Sequence, residues 1–79
     1  MQRFYLCLVE QGRVTEDLEG MAFSDMDAAA IDAIRQIRSM LSLEILENGK
    51  LDLDRSIEIA GDGGASRRIP FSQAVSVSI

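Results

Sequence analysis

Two aspartates one residue apart, Asp52 and Asp54, are the first candidates for chemistry in this 79-residue chain. In an extended segment this D-x-D spacing places both carboxylates on one side, where they can bind a hard cation such as magnesium or calcium. The alternative is a solvated linker whose Leu51 and Leu53 point inward. The linker is favoured, because no calcium-loop pattern follows the two aspartates.

A second acidic group contains Glu16, Asp17 and Glu19. Three carboxylates this close in the chain can attract a cation or a basic partner. Acidic residues are also common in exposed turns, which favours the return of a β-hairpin at this point.

Cys7 is the single cysteine. A redox-active or metal-binding thiolate needs a nearby cation or helix N-terminus to lower its pKa, and nothing in the local pattern supplies one. We therefore expect a partly buried, inert thiol.

Arg67 and Arg68 follow a glycine-rich segment, Gly61 to Gly64. Backbone amides and guanidinium groups together can hold a phosphate. A P-loop lysine and a strand-to-helix context are missing, so a hairpin turn with solubilising edge charges is favoured. Arg35 and Arg38 are interpreted as a solvated helix face.

The residue types that are missing restrict the chemistry further. The chain has no histidine and no tryptophan. This excludes imidazole acid–base catalysis, Cys-His and Ser-His nucleophile pairs and zinc sites built from several Cys or His residues. We therefore expect a protein that is not an enzyme and holds no cofactor or metal.

The net charge is −5, from 13 acidic and 8 basic residues. Such a chain repels phosphate backbones and anionic lipid at long range, so neither nucleic acid nor membrane is an expected partner. No apolar run reaches the roughly 18 residues of a membrane helix. With one cysteine and no intramolecular disulfide, the sequence predicts a cytoplasmic protein.

Four segments have the alternation and the residue types of β-strands. Residues 3–9 predict a first strand with Phe4, Leu6 and Leu8 on the core side and Tyr5, Cys7 and Val9 on the other. The remaining segments are an irregular return in residues 14–23, a strand at 56–60, and a strand at 67–71 that follows a glycine turn. Pro70 lacks an amide donor, which predicts an edge or the end of a strand.

One long helix is predicted between Asp25 and Gly49. Ser24 or Asp25 can cap its first turn, and Asn48-Gly49 is typical of a helix end. About 22 residues give a rod near 33 Å. Apolar residues recur at steps of three and four and form one stripe, namely Met26, Ala30, Ala33, Ile34, Ile37, Leu41 and Ile45.

These elements predict an α+β fold of two layers, in the order ββαββ. About four antiparallel strands form a sheet with one long helix on one face. The whole chain, residues 1–79, is expected to be one domain, since a chain of this length cannot support two cores. Residues 75–79 alternate valine or isoleucine with serine and are interpreted as an extended or flexible tail.

Short motifs extend over nearly the whole chain: Arg3 to Leu8, Asp17 to Gly20, Asp25 with Ala28-Ala29, Leu51 to Leu53, Ile57 to Ile59 and Ile69 to Val75. Together they resemble a family of uncharacterised bacterial proteins, common in rhizobia and related alphaproteobacteria and described as a domain of unknown function. Family members often have histidine at the position of Cys7 and proline at that of Ser24. The resemblance implies the fold and a soluble bacterial protein, and no reaction.

The first 45 residues or so also resemble the amino-terminal part of HicB-like antitoxins, which place a hairpin before a capped helix. That resemblance implies a similar fold of this part of the chain.

One helix covers one face of a sheet, so the other face is wet or covered by another molecule. The sequence therefore predicts a small non-enzymatic interaction module that self-associates, as a dimer, through the uncovered sheet face or a tail strand. The alternative is the antitoxin-like regulator of a basic partner. The candidate interface residues are Tyr5, Cys7, Val9, Val75, Val77 and Ile79.

Overall fold

A computed structural model describes residues 1–78 of the chain. The strands are β1 (Gln2–Glu10), β2 (Arg13–Thr15), β3 (Met21–Phe23), β4 (Arg55–Gly61) and β5 (Ser66–Pro70). One helix, α1 (Met26–Asn48), lies between β3 and β4, and a short 3-10 turn (Phe71–Ala74) follows β5. The predicted α+β class, with an antiparallel sheet and one long helix, is confirmed.

The sheet has five antiparallel strands rather than about four. The order β2-β1-β4-β5 places β1 and β4 at the centre, and β3 also pairs with β1. β3 pairs with the start of β1 at Gln2–Phe4, and β2 pairs with its end at Leu8–Glu10. The irregular return therefore consists of two short strands on the same side of β1, separated by an acidic turn.

The helix begins and ends at the predicted residues. The Asp25 carboxylate accepts a hydrogen bond from the Ala28 amide at 2.8 Å, which satisfies one of the unpaired donors of the first turn. At the other end Gly49 has a left-handed backbone (φ 67°) and donates to the Ile45 carbonyl at 2.9 Å. Both ends are thus capped by the residue types that favour a cap.

The core lies between α1 and one face of the sheet. The largest fully buried side chains are Phe4, Ile37, Ile59, Ile69 and Phe71. Two details of the predicted helix stripe are wrong. Ile45 is 49% exposed, and Ala29, outside the predicted stripe, is fully buried.

The C-terminal segment lies on the helix side. Phe71 and Ala74 are buried in the core, and Val75 packs against it. Arg38, predicted to be solvated, donates from Nε to the Ala74 carbonyl at 2.7 Å and so holds this segment on α1. Residues 75–78 form no helix or strand, and Ile79 lies outside the described residues.

No helix within residues 1–78 has both the length and the apolar character needed to cross a lipid bilayer.

Candidate functional site

The sheet face opposite α1 carries three of the predicted interface residues in a row. Tyr5, Cys7 and Val9 are half-buried. They alternate along β1 with the core-side residues Phe4, Leu6 and Leu8. Residues paired across antiparallel strands share a face, so Val14, Glu58 and Ala60 lie on this side too. We call this surface the open face. It consists of Arg3, Tyr5, Cys7, Val9, Val14, Ser56, Glu58, Ala60 and Arg68.

The tail residue Val75 does not lie on this surface. Val75 packs against the core between sheet and helix. Val77 is 79% exposed and follows a segment bound to α1. Association through a tail strand, the alternative to the sheet face, stays a prediction; the 3-10 turn directs Val75 to the helix side. Ile79, the remaining member, is outside the described residues.

Asp17, which the sequence placed in the return of a hairpin with an acidic site as the less favoured interpretation, completes the edge of the sheet. Its Oδ2 accepts the Leu6 amide at 3.1 Å and its Oδ1 accepts the Gly20 amide at 3.0 Å. Leu6 lies in the gap on β1 between the residues paired with β2 and β3, so the carboxylate replaces a missing strand partner there. These amide hydrogen bonds, that of Leu6 first, hold the pKa of Asp17 below its usual range.

Replacing Asp17 by asparagine is expected to lower the free energy of unfolding by about 2 kcal/mol. The asparagine side chain has a single acceptor oxygen, so one of the two backbone amides that Asp17 binds loses its acceptor. The depressed pKa means that Asp17 stabilises the fold at neutral pH. This contribution is lost as the pH falls through the folded-state pKa. Urea unfolding followed by circular dichroism at neutral and acidic pH measures both effects.

The control is Glu16→Gln, which removes the same charge from the neighbouring exposed residue. It should change the free energy of unfolding by less than about 0.5 kcal/mol. Equal losses for the two variants would show that charge, and not the two amide bonds, accounts for the effect.

The carboxylate of Asp52, in the D-x-D segment that was interpreted as a linker rather than a cation site, contacts other groups of the protein. Its Oδ1 accepts the Asp54 amide at 3.0 Å, and its Oδ2 lies 3.6 Å from Arg55 Nε. Within residues 1–78, no three Cys, His, Asp or Glu side chains come close enough together to hold a metal ion. The pair thus forms a local turn beside an arginine.

That arginine is the charged residue that sequence reasoning missed. The Arg55 side chain is 6% exposed and lies on the helix side of the sheet. Its guanidinium carbon lies 4.5 Å from the centre of the Phe71 ring, and Nη1 donates to Glu44 Oε2 at 2.8 Å. Nη2 donates to the Asp52 carbonyl at 2.9 Å.

The ion pair changes the pKa of both partners. The hydrogen bonds from Arg55 hold the pKa of Glu44 below its usual range, and those to Glu44 raise the pKa of Arg55. Nothing in the sequence around Arg55 indicates this contact, because Glu44 lies eleven residues earlier in the chain, on the helix. The Arg55–Glu44 pair fixes the end of α1 against the start of β4.

The two arginines of β5 lie on opposite faces of the sheet. Arg67 pairs with Ile59 in register and its Nη1 lies 3.1 Å from Asp27 Oδ1, on the helix side. Arg68 pairs with Glu58 on the open face, and its Nε donates to Ser56 Oγ at 3.1 Å. The two arginines and the glycine turn therefore do not form the phosphate site that was the less favoured interpretation of this segment.

The comparisons with known proteins give a family. A family model described as a domain of unknown function (DUF6894) matches residues 3–72. The match extends from β1 into the 3-10 turn, so it includes the helix and both central strands. No curated protein and no solved structure was found to match the chain. The matched range agrees with the resemblance to an uncharacterised family, and the chain belongs to the DUF6894 family of domains of unknown function.

Proposed function

We propose that this chain is a non-enzymatic protein-interaction module that self-associates through its open face. The observation that carries the proposal is that α1 packs on one face of the sheet only. Tyr5, Cys7 and Val9 are left half-buried on the other face, and Val14 beside them is 58% exposed. A row of apolar side chains on an uncovered face is typical of an interaction surface.

The edges of the sheet are poor sites for association by strand addition. β2 and β3 have three residues each. At the other edge, β5 has five residues and ends in Pro70, which has no amide to donate. Short edges, prolines and charged residues are the usual protection against edge pairing, so the face is the better candidate.

The charges on the open face favour a second copy of this chain as the partner. Glu58 and Arg68 lie opposite one another on β4 and β5. Neither side chain forms an ion pair within residues 1–78. A two-fold axis can place Arg68 of each copy beside Glu58 of the other, so the surface is complementary to itself.

The size of the face agrees with a weak dimer. The seven residues of β4, at about 3.4 Å each, and four strands about 4.8 Å apart outline roughly 450 Å² on each copy. The total of about 900 Å² is below the roughly 1,200–2,000 Å² of specific, stable interfaces and is in the range of weak, transient ones. We therefore expect association that depends on protein concentration.

Reversing one charge should weaken the dimer, and reversing both should restore it. Glu58→Arg places two positive charges together across the axis, and Arg68→Glu places two negative ones. We expect each to raise the dimer dissociation constant about tenfold, which corresponds to about 1.4 kcal/mol. The double variant should return to within about threefold of the unaltered chain.

Sedimentation equilibrium over a range of concentrations measures the dimer dissociation constant of the unaltered chain, the two single variants and the double variant. Arg67→Glu is the control, because this neighbouring arginine lies on the helix side beside Asp27. A chain that stays monomeric at the highest soluble concentration contradicts self-association. A double variant as weak as the single ones contradicts this arrangement of the two copies.

A further inference from the structure

We propose that a cleft at one end of the open face binds a small zwitterion, a molecule that carries both a carboxylate and an ammonium group. The cleft lies between the β1–β2 turn, the segment that enters β4 and the end of β5. Its volume is about 500 Å³. Pockets of roughly 300–1,000 Å³ are typical of small-molecule sites.

Arg68 supplies the positive charge of this cleft. Its Nε is bound to the hydroxyl of Ser56, a residue that is 6% exposed, so the guanidinium is held in place by a nearly buried group. The Nη groups donate to no acceptor within residues 1–78. A guanidinium oriented in this way can bind a carboxylate by two parallel hydrogen bonds, and the Ser72 hydroxyl in the same lining can donate another.

Asp54 supplies the negative charge. Its amide is bound to Asp52, whereas its carboxylate accepts no hydrogen bond and joins no ion pair in the described part of the chain. Arg55 also lines the cleft, but its charge is already paired with Glu44. One positive and one negative side chain thus remain without a partner.

The charge of the whole chain separates a zwitterion from a simple anion. A net charge of −5 repels a bare carboxylate at long range, and Asp54 repels it within the cleft. A ligand with an added ammonium group has no net charge, so the charge of the whole chain does not repel it. Its ammonium group is attracted by Asp54. The charges of the cleft therefore fit an amino acid or a related compound better than a simple anion.

Amide NMR titrations test the proposal with glycine, β-alanine and γ-aminobutyrate, three zwitterions that differ in the distance between their charges. Acetate and methylammonium are the single-charge comparisons, all at constant ionic strength. The protein is kept at a concentration where sedimentation shows a monomer, so the result does not depend on self-association. We expect at least one zwitterion to give saturable shifts at Gly12, Ser56 and Ser72, with a dissociation constant on the order of 1 mM.

Two variants test which side chain of the cleft binds each charged group of the ligand. That zwitterion should bind about tenfold more tightly than acetate or methylammonium. Asp54→Asn should abolish its advantage over acetate, and Arg68→Gln its advantage over methylammonium. Arg67→Gln, on the other face of the same strand, should change neither. The amide spectrum of each variant shows directly whether it is folded.

Three results would overturn the proposal. The first is the absence of saturable shifts in the cleft for all three zwitterions. The second is acetate binding as tightly as the best zwitterion. The third is an unchanged preference in a folded Asp54→Asn variant.

Discussion

Replacing Arg55 by alanine should lower the free energy of unfolding by about 3 kcal/mol, the lower end of the range for breaking a buried ion pair. The change removes a guanidinium that is 6% exposed and packs on Phe71. It also leaves the Glu44 carboxylate without its hydrogen-bond donors. The loss stays at the lower end because the side chain of Glu44 is 32% exposed and water can replace part of what is lost.

The pH dependence separates the ion pair from the packing. Because Arg55 lowers the pKa of Glu44, the pair stabilises the fold at neutral pH. That contribution is lost as the pH falls through the folded-state pKa of Glu44. The difference between the native chain and Arg55→Ala should therefore shrink in acid, and what remains is the packing on Phe71.

Glu44→Gln is the matched variant, since it removes the charge and retains one acceptor for Arg55. It should cost about 1 kcal/mol, the difference between a charge-assisted and a neutral hydrogen bond. Urea unfolding of both variants measures these values. An Arg55→Ala chain within about 0.5 kcal/mol of the native one would show that the pair does not hold α1 on β4.

Replacing Gly20 by alanine should cost about 3 kcal/mol as well, for a different reason. Gly20 has a left-handed backbone (φ 70°), which costs an alanine about 1 kcal/mol. An added methyl would also lie 2.8 Å from the Phe4 carbonyl oxygen and 2.9 Å from the Tyr5 ring. Phe4 is held between β3 and β4, so its backbone cannot move aside, and overpacking of this kind costs about 1–3 kcal/mol.

Gly12→Ala separates these two costs. Gly12 has a similar left-handed backbone (φ 77°), but an added methyl meets no atom within 4 Å. It should therefore lose only the backbone share, about 1 kcal/mol. Thermal or urea unfolding of the two variants gives the difference directly, and equal losses would contradict the close contact at Gly20.

Much of this fold could be predicted because its signals are local. The cap at Asp25 and the left-handed Gly49 lie within a few residues of the helix ends they define. In β1 and β4, successive side chains alternate between the two faces of the sheet, as in any β-strand. Pro70, without a donor, lies at the end of the edge strand β5, as predicted.

The candidate site was only partly predictable. The positions of Tyr5, Cys7 and Val9 opposite the core followed from alternation alone. The role of Asp17 did not, because it depends on the Leu6 amide eleven residues earlier in the chain. Arg67 and Arg68 are neighbours in sequence, so a strand places them on opposite faces. Only the pairing of β5 with β4 decides that Arg68 lies on the open face and Arg67 lies beside Asp27.

The sequence by itself determined the types and order of the elements and which side of β1 faces the core, since these depend on neighbouring residues and on periodicity. Tertiary structure alone decided that Arg55 is buried against Glu44, that Asp17 bridges the gap between β2 and β3, and that the segment after Pro70 lies on the helix. Each of these is a polar contact across 11 to 36 residues. A charged side chain has the same local pattern whether it is solvated or buried, and only the folded chain supplies the partner that makes its burial favourable.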